Sequence, residues 1–179
     1  MRKTTLFSIA AVAVLFVVAF IIEEHHGLLD IGDQAPNFTA MSSDGASVSL
    51  SKYLGKKNVV LFLYPKDFTA GCTAEVCSIR DGFGALADFE AVVFGVSTDG
   101  GDSHEKFRNR YSLPFRLIAD TDRSLTKAFG VERLGGFLPL TKRVTYIIDK
   151  EGVIRLTSHH EIRIEKHLED VMQTLRSLH

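Results

Sequence analysis

The chain has two cysteines, Cys72 and Cys77, and their positions favour chemistry over packing alone. They follow an apolar run at residues 59–63 that is typical of a buried strand, and they begin a segment with helical periodicity. A thiol in the first turn of a helix faces unpaired backbone N–H groups and the positive end of the helix dipole, which favour thiolate over thiol. Gly71 permits a close approach of the backbone, and the Thr69 hydroxyl can bond a sulfur or a bound oxygen. These residues predict a nucleophile at Cys72.

The spacing of the two cysteines does not suit a disulfide within one helix. Five residues along a helix give a rise of about 7.5 Å and place two Cα atoms roughly 8 to 9 Å apart. A disulfide requires Cα atoms within about 7 Å of each other. Oxidation of Cys72 and Cys77 to a disulfide would therefore require that stretch of helix to unwind. The spacing favours a redox cycle with a conformational step over a static crosslink.

Alone, a C-x₄-C pattern leaves other interpretations open. It is neither the C-x-x-C motif of disulfide exchange nor the paired C-x₂₋₄-C framework of a zinc site. Two small cysteines buried as hydrophobic residues are the plain alternative. The neighbouring residues must distinguish these cases.

Residues 64–81 extend the pattern well beyond the pair and read Tyr-Pro-Lys-Asp-Phe-Thr-Ala-Gly-Cys-Thr-Ala-Glu-Val-Cys-Ser-Ile-Arg-Asp. This segment resembles the active-site segment of peroxiredoxins, in particular the bacterioferritin-comigratory-protein or PrxQ type, whose second cysteine lies five residues after the first. Ala70 is a departure, because the family usually has a proline there that rigidifies the loop. The resemblance covers most of residues 28–179 and continues through residues 95–97, 103–107, 111–115, 120, 129–131 and 143–149.

The resemblance implies a catalytic role for four residues. Cys72 is expected to be the peroxidatic nucleophile, which becomes a sulfenic acid, and Cys77 the resolving cysteine, which condenses with it to a disulfide. Arg143 matches the family's catalytic arginine, which stabilises the thiolate and the oxygen that leaves. The Thr69 hydroxyl and the Cys72 N–H are expected to hold the peroxide in line.

Four further residues are expected to line the substrate pocket, namely Tyr64, Pro65, Gly71 and Glu75. For Glu75 the position near the helix start favours a charge that complements the helix dipole over a group that orients a water. Phe68 is expected to shield the pocket.

An apolar N-terminal run suggests contact with a membrane. Residues 4–22 carry no charge, Arg2 and Lys3 precede them, and Glu23 follows at once. About 20 apolar residues span a bilayer core. Because no small-residue cleavage site precedes Glu23, we expect an uncleaved transmembrane anchor rather than a signal peptide.

The domain boundaries follow from this run. Residues 1–24 are expected to be the membrane anchor or signal segment, residues 25–30 a tether, and residues 31–179 the peroxiredoxin domain. Basic residues before the run place the N-terminus in the cytoplasm, so the domain is expected on the extracytoplasmic side. If the segment is cleaved, the domain would be secreted or periplasmic.

Alternating strand and helix patterns predict an α/β fold, a mixed sheet with helices on both faces. The resemblance implies that this is a thioredoxin-like fold. A hairpin around residues 43–45, a helix that Ser103 caps and an apolar loop at residues 132–142 are also expected. Strands are predicted at 59–63, 91–96, 115–119, 143–148 and 153–157, and helices at about 71–89, 103–111, 122–129 and 163–178.

The formal net charge of −1 gives no sign of a nucleic-acid partner. His159 and His160 lack metal-ligand spacing, so neither a metal nor a cofactor is expected. The resemblance implies a monomeric enzyme that reduces hydrogen peroxide and organic hydroperoxides and is recycled by a thioredoxin-like reductant. A thiol–disulfide oxidoreductase, or a peroxide sensor that passes its disulfide to a partner protein, is the alternative.

Overall fold

The computed structural model describes residues 27–135, 138–160 and 164–178. The predicted anchor at residues 1–24 and the first two residues of the tether lie outside this part of the chain. Within the described ranges, no helix combines the length and the apolar character that a bilayer crossing requires.

The described residues form nine strands and four α-helices, with a short 3-10 helix at Leu50–Lys52. The strands are β1 Thr39–Met41, β2 Ser47–Ser49, β3 Asn58–Leu63, β4 Ala91–Ser97, β5 Arg116–Ala119, β6 Glu132–Gly135, β7 Leu138–Thr141, β8 Val144–Ile148 and β9 Ile154–His159. The helices are α1 Ala70–Ala87, α2 Gly101–Tyr111, α3 Ser124–Ala128 and α4 Ile164–Leu178.

Five strands build the central mixed sheet in the order β5-β4-β3-β8-β9. Strands β3, β4 and β5 run parallel to one another, whereas β8 is antiparallel to both β3 and β9. Every residue of β3 is buried, which is why its sequence is a continuous apolar run rather than an alternating one. The prediction of a mixed α/β sheet is confirmed.

Alternate residues of the central strands point to opposite faces of the sheet and pack into two separate apolar clusters. Val60 and Phe62 face a cluster to which α1, α2 and α4 contribute Val76, Phe107 and Val171. The cluster on the opposite face contains the other alternate residues of β3, together with apolar residues of α3 and of the hairpin that β1 and β2 form. The sheet is therefore covered on both faces, as predicted.

Two local predictions are wrong. Gly100, not Ser103, occupies the N-cap of α2, and the Ser103 hydroxyl instead donates 2.8 Å to Asp67. Residues 132–135 and 138–141 do not form a loop, because β6 and β7 pair there as antiparallel strands in which Pro139 lies opposite Leu134. A two-stranded ribbon has free edges, where a proline costs no ladder hydrogen bond. Gly135 and Pro139 hide the strand pattern in the sequence.

The register of β3 with β8 positions the site. Leu63, the last residue of β3, pairs with Val144, the first residue of β8. Because the two strands are antiparallel, the residue before β8 lies beside the end of β3, where the chain turns toward α1. Arg143 and the start of α1 are thereby brought to one edge of the sheet.

Gly95 in β4 gives a test of this packing. A Cβ at Gly95 would lie 2.6 Å from both Leu117 Cδ2 and Phe62 Cζ. Gly95→Ala is therefore expected to lower the free energy of unfolding by about 1–3 kcal/mol through overpacking, as measured by urea denaturation. Gly84→Ala is the matched control, since a Cβ there meets nothing within 4 Å and alanine favours a helix. Equal stability of the two variants would contradict the close packing at Gly95.

Candidate active site

Cys72 is the third residue of α1, and its side chain is 1% exposed. The helix begins where the chain leaves β3, and the Thr73 N–H donates 2.9 Å to the Thr69 carbonyl to close its first turn. The Cys72 N–H lies at the start of the helix, where backbone N–H groups have no carbonyl partner within the helix. Arg143 Nη2 donates a hydrogen bond to Cys72 Sγ at 3.3 Å. The predicted nucleophile and the predicted arginine are thus in direct contact.

Glu75 holds the other side of the Arg143 guanidinium. Its carboxylate accepts a hydrogen bond from Arg143 Nη1, and both side chains are buried. Burial opposes the positive charge of Arg143, but the negative charges of Glu75 and Cys72 outweigh this and raise the pKa of the guanidinium. Arg143 therefore stays charged and aimed at the sulfur.

The expected dipole role of Glu75 is not what the structure shows. Glu75 is the sixth residue of α1, beyond its first turn, and lies one helical turn after Cys72. Residues three apart share one helix face, so Cys72 and Glu75 present a sulfur and a carboxylate to the same guanidinium. The Cys-x-x-Glu spacing was the sequence signal for this shared partner.

Thr69 is the N-cap of α1 and is exposed. Its hydroxyl donates 3.1 Å to the Lys66 carbonyl and makes no capping bond to the helix. The Thr69 hydroxyl oxygen can still accept hydrogen bonds through its two lone pairs, three positions before Cys72. A contact of Thr69 with a bound peroxide stays a prediction.

Cys77 lies half-buried on α1, and both cysteines are free thiols in this structure. Its side chain packs against the apolar cluster between α1, α2 and α4. Both residues lie within the continuous helix at 70–87, so the fold holds them apart as their spacing predicted. A disulfide between them stays a prediction.

The remaining predicted pocket residues surround the loop between β3 and α1. Pro65 and Gly71 are half-buried. Phe68 is 47% exposed, has a positive φ of 60°, and packs its ring edge-on against Phe107 with centroids 4.9 Å apart. Among the described residues, no group of three or more His, Cys, Asp or Glu side chains is arranged to hold a metal ion.

A second buried polar group, which the sequence reasoning missed, fixes this loop. The Tyr64 hydroxyl donates 2.7 Å to Asp67 Oδ1. Asp67 Oδ2 accepts from the Ser103 hydroxyl at 2.8 Å and lies 2.9 Å from His104 Nδ1. Burial, followed by the negative charge of Asp67, raises the pKa of Tyr64 well above its ordinary value. Tyr64 therefore remains a hydroxyl donor and acts on the loop through Asp67.

His104 completes this arrangement. Its Nε2 faces the Ile118 carbonyl at 3.1 Å, while Nδ1 faces the Asp67 carboxylate. Nδ1 also lies 3.5 Å from the Tyr64 hydroxyl, so both ring nitrogens have buried polar partners. The contact between Asp67 and His104 joins the loop before Cys72 to α2 and, through the Ile118 carbonyl, to the end of β5.

A buried cysteine that accepts a hydrogen bond from an arginine at the edge of such a sheet is a site for a nucleophilic thiol. The AhpC/TSA family matches residues 31–157, and the chain belongs to that family. Family membership supports a thiol-dependent peroxidase activity and a thioredoxin-like fold.

The chain is similar to named peroxiredoxins over most of its length. It is 40% identical over 153 residues to a chloroplastic peroxiredoxin Q of Oryza sativa subsp. japonica, which covers 85% of this chain and 69% of the relative. Peroxiredoxin Bcp of Bacillus subtilis (strain 168) is 37% identical over 154 residues, with 84% and 97% covered. The crystal structure of peroxidoxin BcpB from Mycobacterium tuberculosis has a TM-score of 0.78 and 31% identity, and covers 84% of this chain and 99% of that one. The resemblance to the Bcp and Q peroxiredoxins is confirmed.

The role of Asp67 in fixing this loop can be tested by substitution. Asp67→Asn replaces one oxygen of a buried, hydrogen-bonded carboxylate with an amide donor, so at least one of its contacts with Tyr64, Ser103 and His104 is lost. The free energy of unfolding is expected to fall by about 1–3 kcal/mol in urea denaturation. Asp81→Asn is the control, because Asp81 is exposed and pairs with Arg80 on the surface of α1. A loss for Asp67→Asn no greater than that for Asp81→Asn would mean that Asp67 does not hold the loop.

Proposed function

We propose that this chain reduces hydrogen peroxide and organic hydroperoxides through Cys72, as an atypical two-cysteine peroxiredoxin. The observation that carries this proposal is the hydrogen bond from Arg143 Nη2 to Cys72 Sγ inside a buried site. A guanidinium there favours the thiolate and is already aimed at the region where negative charge develops. Simple disulfide exchange gives no reason for a buried cation at this position.

The first step is attack of the Cys72 thiolate on one oxygen of the peroxide. A bond forms between sulfur and oxygen as the O–O bond breaks, and the electron pair of that bond leaves with the second oxygen. That oxygen takes a proton and departs as water or an alcohol, while Cys72 is oxidised to a sulfenic acid. Arg143 stabilises the charge on the leaving oxygen, and Thr69 and the Cys72 N–H position the peroxide.

The second step uses Cys77. Its thiolate attacks the sulfur of the Cys72 sulfenic acid, a disulfide forms, and the sulfenic oxygen leaves as water. Since both residues lie in α1, the start of that helix must unwind first. A thioredoxin-like dithiol protein then reduces the disulfide, and both cysteines return to thiols.

Timed mass spectrometry of the reduced protein tests both steps together. After one equivalent of hydrogen peroxide at neutral pH, the mass is expected to fall by two hydrogens, and peptide mapping should show a Cys72–Cys77 bond. Cys72→Ser should abolish the reaction with peroxide, and Cys77→Ser should react at the first step but stop at the sulfenic acid.

The two variants assign the roles separately. If Cys72→Ser still consumes peroxide at the wild-type rate, Cys72 is not the nucleophile. If Cys77→Ser turns over normally with a dithiol-protein reductant, then Cys77 is not the resolving residue. If both thiols of the wild-type protein survive for minutes, the peroxidase proposal fails, and protein disulfides become the substrates to examine.

We also propose that residues 1–24 anchor the protein in a membrane with the domain on the extracytoplasmic side. The support is the uncharged run at residues 4–22 after two basic residues. After alkaline carbonate extraction of cells, the full chain is expected in the membrane pellet, and a variant without residues 4–22 in the supernatant. If the protein expressed from the full sequence is instead recovered in the supernatant with its N-terminus at or after Glu23, the segment is a cleaved signal.

A further inference from the structure

His167 is a buried histidine that the proposed reaction does not use, although it lies against the site. It belongs to α4, and its ring is 1% exposed. Nδ1 lies 4.0 Å from Glu75 Oε1, and the other oxygen of that carboxylate holds Arg143. A chain of contacts thus runs from His167 through Glu75 and Arg143 to the sulfur of Cys72.

The hydrogen bonds of the His167 ring define its neutral form. Nε2 lies 2.9 Å from the His160 carbonyl, which only accepts, so Nε2 carries a proton. Nδ1 lies 2.9 Å from the Thr145 hydroxyl, which can donate to an unprotonated nitrogen. In this form the ring presents no charge to Glu75.

Among the described residues, charged and titratable groups face His167 from α1, from the start of β8, from the residue after β9 and from α4 itself. Glu75 of α1 and Arg143 before β8 face it, as does the ring of His160, which meets it edge-on with centroids 5.4 Å apart. Asp170, one turn further along α4, pairs with His160 at 3.0 Å. Burial lowers the pKa of His167, and the charges of His160 and Arg143 lower it further, while the His160 carbonyl and Asp170 act in the opposite direction.

We propose that His167 is a positioning residue for Arg143. While the His167 ring is neutral, Glu75 binds Arg143. When the ring is protonated, it attracts Glu75 away from Arg143, and the attack of Cys72 on peroxide slows. Protonation would add a positive charge at Nδ1, the nitrogen that faces Glu75 Oε1. Two cations would then share one buried carboxylate, and Arg143 would lose the partner that aims it at the sulfur. This proposal rests on the proposed peroxidase function.

The sign of the pH effect follows from the lowered pKa of His167. In the folded protein the ring stays neutral at pH 7 and takes up its proton only as the pH falls below the ordinary value of about 6.5. The attack is therefore expected to be fastest above that range and to slow on acidification. This loss comes in addition to the ordinary loss from protonation of the Cys72 thiolate.

Two rates measured between pH 5 and pH 8 on the purified full-length protein separate these losses. The rate of Cys72 alkylation by iodoacetamide, mapped by mass spectrometry, gives the fraction of thiolate. The rate of Cys72 oxidation by hydrogen peroxide, divided by that fraction, gives the reactivity of the thiolate itself. In the wild-type protein this reactivity is expected to fall about tenfold toward pH 5, because losing a preorganised donor outright costs roughly 100-fold or more.

Three histidine-to-glutamine variants give distinct expectations. His167→Gln should keep the reactivity of the thiolate near the wild-type value at pH 8 and remove its fall at acidic pH. His160→Gln removes a ring that lowers the pKa of His167 but keeps the carbonyl, so the midpoint of the fall should move to higher pH. His159→Gln, at the exposed end of β9, should match the wild-type protein.

The outcomes distinguish this proposal from the proposed function. A wild-type acid fall that persists unchanged in His167→Gln would overturn the role of His167 while leaving the peroxidase intact. A midpoint that His160→Gln leaves in place, or that His159→Gln moves equally, would also overturn it. The His160 variant decides the matter if His167→Gln fails to fold. Absence of any reaction between the wild-type Cys72 and peroxide would instead refute the peroxidase itself.

Discussion

A guanidinium buried against a cysteine sulfur is stable only with a negative partner, and this constraint organises the site. Removing a cation from water costs several kcal/mol unless a counter-charge with good geometry replaces the water. The chain supplies Glu75 one helical turn after Cys72, so a single helix carries both groups that Arg143 binds. The antiparallel pairing of β3 with β8 brings Arg143 to that helix. The wound form of α1 is therefore the form in which both anionic groups face the buried guanidinium. Oxidation of Cys72 to a neutral sulfenic acid would remove one of the two negative charges that Arg143 binds, and so weaken its hold on the start of α1.

A second buried polar cluster lies on the other side of Cys72. Asp67, in the loop before α1, contacts His104 and accepts a hydrogen bond from the Tyr64 hydroxyl. The segment from Asp67 to Cys72 is short. Within it Phe68 adopts a positive φ, which residues other than glycine seldom adopt. The unwinding of α1 that the proposed second step requires would break the alignment of Cys72 with Glu75. It need not disturb Asp67, because the contact between Asp67 and His104 lies outside that helix.

The sequence pattern predicted the strands and helices whose residue types are set by burial on a defined face. The apolar run of β3 and the periodicity of α1 and α4 were readable, because burial on defined faces dictates residue type. The pairing of β6 and β7 was missed because Gly135 and Pro139 interrupt the alternation on which strand prediction depends. The partners of Glu75 and of His104 could not be predicted, because these contacts join residues distant in sequence. His167 did leave a signal, since it falls on the apolar face of α4 beside Val171, where a polar side chain needs a buried partner.

Ala70 shows how a difference in sequence can act on one state of the cycle alone. It is the first residue of α1 and its side chain is exposed. At this position the N–H has no acceptor within the helix, so a proline, which the family usually has, would lose no hydrogen bond there. Alanine therefore costs the wound helix no hydrogen bond. It leaves the unwound segment with more conformational freedom than proline would, a difference of about 0.4–1 kcal/mol. The substitution thus bears on the unwound state, in which Cys72 and Cys77 would meet, rather than on the geometry around the thiolate.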